Sequence, residues 1–333
     1  MTSLERLNAR LNGQPVDKIP NMNIVMAIVA REAGVSYREY VNDYRKLVEG
    51  NLICLEKYGL DSVSVISDPM RETSAFGAEL VFPENGVPFA AKPLITDTFD
   101  LSVLKRFDPA ESERTADRLK GCAKLREKVG KDYPVIGWVE GCIAEAADLR
   151  GLNEFLMDLA VGEDYLEELF SLIHEQQKRF ALAQLNAGAD FIGVGNAAAS
   201  LIGPERYREY GLPWDKAIID FVHAKGGRVK LHICGNTGPL LELLKEAAPD
   251  ILDIDWMVDF RRAAELFEGS ATAVSGNMDP VEVMMRGTPQ LVEEQVLRCI
   301  EEGTATTLIA GGCEIPAAAP EENLRLMDRL LYR

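Results

Sequence analysis

Short apolar runs alternate with long amphipathic stretches along the whole chain. Eight runs have the length of a strand: residues 22–27, 62–66, 135–139, 191–194, 229–233, 251–254, 271–274 and 306–309. Between most of them lie helical patterns, over 40–58, 116–129, 165–187, 204–224, 238–247 and 289–302. Pro204 after Gly203 and Pro280 after Asp279 read as helix starts, because proline suits the first helical turn. Eight strands alternating with helices predict a (β/α)8 TIM barrel of the α/β class. A doubly wound open sheet is the alternative, but it usually has fewer strands. The stretch 79–95 departs from the rhythm. Leu80-Val81-Phe82, Asn85-Gly86 and Val87-Pro88-Phe89 read as a β-excursion around a turn, placed on the active-site side after the second strand. With no low-complexity segment, charge block or flexible linker, residues 1–333 are expected to form a single domain.

Composition adds exclusions. The hydrophobic content of 47% and charged content of 27% are those of an ordinary soluble enzyme. A net charge of −17 argues against a nucleic-acid partner, since phosphate binding needs clustered Lys and Arg. The start, Met1-Thr2-Ser3-Leu4-Glu5-Arg6, lacks the apolar core of a signal peptide. No stretch approaches the roughly 20 apolar residues of a membrane helix. The expected location is cytoplasmic, away from membranes. Cys54, Cys122, Cys142, Cys234, Cys299 and Cys313 show no disulfide-scaffold spacing, and cysteines in such a chain stay reduced.

A barrel places its chemistry at the C-terminal ends of the strands. The polar residues there are Asp68, Glu140, Asn196, His232, Cys234, Asp255, Asn277 and Cys313. Side chains alternate across a strand, so His232 and Cys234 share a face. Cys313 follows two glycines at the end of the eighth run. One His and two Cys suit zinc, and three protein ligands leave a fourth position open for chemistry. His232, Cys234 and Cys313 are therefore the candidate metal ligands. Glu140 interrupts an apolar run, as a site acid, a fourth ligand or half of a buried ion pair. Asp68 precedes Pro69, as a second catalytic candidate or a turn cap. Asn196, Asp255 and Asn277 are candidate substrate contacts, with Asp255 preferred over Asp253 for its place nearer the strand end. Asp279 before Pro280 reads as a helix cap. His174 and His223 read as solvated helix residues, and Tyr207, Tyr210 and Trp214 as packing.

Four stretches carry a family resemblance: Leu201-Ile202-Gly203-Pro204-Glu205-Arg206-Tyr207 with Leu212-Pro213-Trp214; Leu231-His232-Ile233-Cys234-Gly235-Asn236; Ser275-Gly276-Asn277-Met278-Asp279-Pro280; and Gly311-Gly312-Cys313-Glu314-Ile315-Pro316 with Pro320-Glu321-Glu322-Asn323-Leu324. With these the chain resembles the uroporphyrinogen decarboxylase superfamily along nearly its whole length, and that family's fold is a (β/α)8 barrel. Its decarboxylases have an Arg-rich N-terminal motif, a histidine between glycines near the C-terminus and no metal. Here residues 20–27 hold no arginine, and Cys313 stands where that histidine would be. Asp68 falls near the position of their catalytic Asp. The other branch, the corrinoid-dependent methyltransferases, which include methylcobalamin:coenzyme M methyltransferases, has a His-x-Cys plus distant Cys zinc motif. His232, Cys234 and Cys313 match all three positions.

That branch implies zinc-dependent transfer of a methyl group from methylcobalamin, supplied by a partner corrinoid protein, to a small-molecule acceptor. A free thiol has a pKa of about 8.5 and is mostly protonated at neutral pH; coordination to Zn²⁺ deprotonates it. Coenzyme M, tetrahydrofolate and another small thiol all remain open as acceptor. Two other readings stand beside it. One is a decarboxylase of the heme-biosynthetic type. The other is a non-catalytic binding protein whose closed metal site has Glu140 or Glu314 as a permanent fourth ligand.

Overall fold

The computed structural model describes residues 1–98 and 100–332. Nine strands are present among them. They are β1 (Val63–Ser64), β2 (Leu80–Val81), β3 (Phe89–Ala90), β4 (Val135–Glu140), β5 (Phe191–Gly195), β6 (Arg228–His232), β7 (Ile251–Asp253), β8 (Ala273–Met278) and β9 (Leu308–Gly311). Seven form a parallel sheet in the order β1-β4-β5-β6-β7-β8-β9, and β2 and β3 pair antiparallel. The small hairpin is the excursion expected around Asn85-Gly86. Each sheet strand leads into helix that packs outside it, which makes the curled α/β architecture of a TIM barrel.

The first expected strand, 22–27, is not a ladder strand. Its Met26 already opens the helix Met26–Glu32. Residues 19–25 instead run between the two edges of the sheet and bond to both by irregular means. On one side the Asp61 N–H donates to the Asn21 carbonyl, and the Asn21 N–H to Asp61 Oδ2. On the other, the Gly311 N–H donates to Asn23 Oδ1 and the Ile315 N–H to the Ile24 carbonyl. Pro20 offers no N–H, and asparagine side chains make bonds that a regular strand would make with its backbone. Four further expectations shift. The strand at 271–274 begins at Ala273 and continues through Ser275, Gly276 and Asn277, and the strand at 306–309 begins at Leu308. The helix expected over 204–224 is interrupted by a wide turn at Tyr207–Gly211, and that over 40–58 breaks at Asp43, which caps Tyr44–Tyr58.

The barrel interior holds Met22, Ile136, Trp138, Phe191, Ile251 and Leu308, all buried. Trp138 is accommodated because its neighbour on β5 is Gly193, where a Cβ would overlap the indole ring. Asp279 caps the turn after β8, accepting from the N–H groups of Val281 and Glu282 at 2.8 and 2.9 Å, which is the cap read from Asp-Pro. No helix among the described residues is long and apolar enough to cross a membrane. The six cysteines are all free thiols, four of them buried.

Candidate metal centre

His232 ends β6, and Cys234 lies two residues on, so both side chains leave the strand in one direction. His232 Nε2 sits 3.1 Å from Cys234 Sγ. Cys313 arrives from the end of β9, with its Sγ 3.6 Å from both Cys234 Sγ and His232 Nε2. All three donor atoms lie within 4.8 Å of one another. Two glycines allow this approach. Gly235 has φ +87°, a left-handed conformation that turns the chain directly after Cys234. Gly312 has its backbone against Asp255 and Trp256, where a Cβ would find no room, and this brings Cys313 across to Cys234.

The charge state of the trio follows from these contacts. The contact with Cys234, against burial and with His232 beside it, holds the Cys313 thiol down at about 4. The same contact and burial push Cys234 far above the usual thiol range. Burial disfavours a charged His232, but the Cys313 thiolate outweighs it and raises the imidazole. A divalent ion takes cysteine as thiolate and histidine as neutral imidazole, so it would displace whatever protons the trio holds. We predict that zinc uptake near neutral pH releases protons, measured by calorimetry in buffers of different ionisation enthalpy; no release would refute coordination by these thiols.

The donors are backed from below. His232 Nδ1 is buried with no hydrogen-bond partner among the described residues, and Asp253 Oδ2 lies 3.7 Å from it. Asp253 is the ladder neighbour of His232 on β7 and forms an ion pair with buried Lys230. A carboxylate behind a metal-bound His fixes its ring and tautomer. Asp253→Ala is expected to weaken zinc binding by about 10–100-fold, as read by competition with a chromogenic chelator, and to cost about 3–5 kcal/mol of stability as well, because it strands buried Lys230.

The trio forms one wall of a cavity of about 260 Å³ at the strand ends, which also includes Asp68, Glu140 and Glu314. Glu140, the last residue of β4, accepts from Arg71 Nη2 at 2.8 Å through Oε1. Arg71 is fully buried and also faces Glu72. Glu145 and Asp148 extend this acidic group along the helix Cys142–Arg150. One guanidinium cannot serve so many carboxylates. Burial pushes Glu140 up to about 8 despite Arg71, with Glu72 adding to the rise. Burial and Glu72 raise Asp148 to about 7, and Glu145, with both oxygens unpartnered by hydrogen bonds, is raised well above the usual range. Asp68 differs. Burial works against its charge, but Arg114, bonded to both its oxygens at 2.9 and 2.6 Å, holds it down at about 2. It also accepts from the Met70 N–H, as a turn cap does.

The other candidates lie outside the cavity. Asn196 is fully buried and gives its amide to Asp215 and its carbonyl to the Ala144 N–H. Asn277 donates to the Asp255 and Val258 carbonyls and accepts from Arg298. Asp255 accepts from the Gly235 N–H at 2.6 Å, so it pins the turn that carries Cys234. These three lie behind the cavity wall with polar atoms already engaged. His174 is not solvated: it is buried, with its ring 5.4 Å from that of Trp214, because its helix packs inward at that turn. His223 is exposed and paired with Asp250, as read. Tyr210 and Trp214 pack on Phe170.

Residues 2–331 match the sequence pattern of the family described as uroporphyrinogen decarboxylase (URO-D). The chain belongs to the uroporphyrinogen decarboxylase family. Within this family it is similar to methylcobamide:CoM methyltransferase MtbA of Methanosarcina mazei, 29% identical over 98% of this chain and 96% of that one. It is 24% identical to MtaA of Methanosarcina barkeri, with 97% and 95% covered. It is also similar to the uroporphyrinogen decarboxylase of Carboxydothermus hydrogenoformans, 27% identical over 75% of each chain. Among solved structures, a methyltransferase from Methanosarcina mazei superposes with a TM-score of 0.90 at 24% identity, covering 99% of this chain and 98% of that one. That likeness establishes the family's barrel fold. Arg71, Arg114 and Glu72 complete the surroundings of the site without having stood out in the sequence, and Asp253, ranked there behind Asp255, joins them.

Proposed function

We infer that this member of the family is a methyltransferase, moving a methyl group from a methylated corrinoid protein to a small acceptor thiol at a zinc centre. The observation that carries this reading is the convergence of His232, Cys234 and Cys313 on one side of a cavity at the strand ends. The donor set is soft and mutually close, and such a set fits zinc. Zinc held there supplies the deprotonation of a bound thiol at neutral pH. Neither Glu140 nor Glu314 belongs to the converging group, so the fourth side stays open to the cavity, unlike a closed structural site.

The remaining steps fall to the chain itself. His232, Cys234 and Cys313 hold the ion, and Asp253 orients His232. Ile24, Ile66 and Trp138 on the cavity wall exclude water from the reacting sulfur. The proton of the incoming thiol leaves to solvent at the cavity mouth, because Glu140 on the wall already holds its own near neutral pH; Asp68, tied to Arg114, positions the wall beside it. The corrinoid comes on its own protein and meets the acceptor at the cavity mouth, consistent with the relatives named for methylcobamide. The decarboxylase alternative has less support. Arg71 and Arg114 are both engaged by carboxylates, and among the described residues no other guanidinium lines the cavity for a polycarboxylate substrate. Metal analysis combined with methyl transfer from methylcobalamin to coenzyme M, tetrahydrofolate and other small thiols tests the reading. Zinc-dependent methylation of an acceptor is expected; metal-free turnover of uroporphyrinogen would overturn it.

A further inference from the structure

We propose that the acceptor thiol of this protein carries an extended, largely apolar tail, and that a second lobe of the cavity, beyond Glu140, is the subsite that holds it. The inference rests on the metal-centre reading above and narrows its substrate class. The second lobe has a volume of about 270 Å³. It adjoins the lobe of the trio along Pro69, Glu140 and Ala197, which border both. Two elements make it. One is the helix Cys142–Arg150, which presents Ala144, Ala147 and Asp148, spaced so that they share a face. The other is the turn Ala197–Leu201 after β5, which presents Ala198 and Leu201. Asn196 ties the two together at the base, where its Oδ1 accepts the Ala144 N–H at 3.0 Å. Leu152 and Leu201 stand on the rim, 44% and 60% exposed.

This construction points to a ligand. Alanines line the cleft where larger side chains would close it, so an apolar concave wall is left open, and such a wall gains by being covered. One polar group converges on it. Asp148 is partly buried on the lobe's wall, and its carboxyl makes no hydrogen bond or ion pair among the described residues. A hydroxyl or amide at the end of an apolar tail would meet it there. The direction suits the reaction as well. The methyl donor reaches the sulfur through the cavity mouth, so a tail lying across the mouth would block it. A tail turned aside past Glu140 leaves that approach free, and a two-carbon thiol is too short to make the turn.

The test uses cobalt(II)-substituted full-length protein, in which thiolate binding is read from the sulfur-to-cobalt charge-transfer band. The probes are 2-mercaptoethanol, 4-mercapto-1-butanol and 6-mercapto-1-hexanol, which differ only in chain length. A methylene taken from water into an apolar site tightens binding by about two- to fourfold, so the six-carbon thiol is expected to bind at least about tenfold more tightly than the two-carbon one. Ala147→Phe fills the lobe, and Ala197→Leu narrows its entrance from an exposed position. Each should remove most of that ratio, a comparison in which differences between the probes' thiol pKa values cancel. The cobalt spectrum reports an intact centre in each variant, and the exposed site keeps the test valid if the buried one fails to fold. Equal binding of the three thiols, or a ratio that neither substitution lowers, would overturn the inference while leaving the metal centre intact. A protein that binds no cobalt would instead remove the metal-centre reading, and the inference with it.

Discussion

Replacing Cys234 with alanine is expected to weaken zinc binding severely and to take methyl transfer down with it. A zinc site of this kind draws about 10–16 kcal/mol from four ligands. Losing one thiolate therefore weakens the ion by on the order of a hundredfold to a thousandfold. The effect should be selective, because Cys234 lies on a turn beyond the end of β6 and is not part of the barrel's apolar core. Its partner Cys313 would lose the thiol that stabilises its charge and would titrate as a more ordinary cysteine. The checks are zinc content by atomic absorption, thermal unfolding, and methyl transfer from methylcobalamin. A metal-free variant with full activity would end the zinc-dependent reading.

The second large effect is on stability. Arg71 is fully buried and is the nearest cation to Glu72 and Glu140. Arg71→Leu leaves those carboxylates in the interior without a guanidinium. Removing one partner of such a group costs about 3–5 kcal/mol. In a chain of this size that corresponds to a fall in Tm of about 5–10 °C at pH 8. The sign with pH follows from the raised acids. A carboxyl whose folded pKa lies above its unfolded value holds its proton in the folded state, so stability is fully present below the unfolded pKa and falls as pH rises through the folded one. Glu140, up at about 8, and Asp148, at about 7, place that window between about pH 4.5 and 8. In the variant these groups hold their protons more tightly, so its deficit should shrink as the pH falls towards 5. A deficit that grows under acid would contradict this account.

How much of this could be read beforehand depends on the kind of residue. The strands at 135–139, 191–194, 229–233 and 251–254 are apolar runs with buried faces, and they lie where β4 to β7 were found. The polar end of β8 was hidden, because Ser275, Gly276 and Asn277 look like a loop although their backbone continues the ladder. The segment 19–25 looked like a strand because its apolar pattern is that of a barrel wall, while its bonding depends on asparagine side chains. The metal trio was legible for two reasons: strand alternation fixes where His232 and Cys234 point, and a parallel barrel gathers strand ends at one mouth. Asp253 was passed over in favour of Asp255, because position along the strand was weighed without knowing that Asp253 is the ladder neighbour of His232. Arg71, Glu72, Glu145 and Asp148 sit in helices with the spacing of an ordinary solvated face. Only the packing of Met70–Phe76 and Cys142–Arg150 against the barrel mouth buries them.

The seam at residues 19–25 has a dynamic consequence. Elsewhere the wall is held by continuous ladders, but here a few isolated hydrogen bonds join its two edges. On the far side of that joint Gly311 and Ile315 bracket Cys313, and Glu314 is tied across it to Ala27. The weakest hinge in the wall is therefore the one that carries the third metal ligand. Opening it by a small amount would draw Cys313 away from His232 and Cys234 without disturbing the rest of the barrel. An ion spanning both sides would act as a latch, and hydrogen exchange at Gly311 and Ile315 should slow on zinc loading more than exchange at β4 or β5.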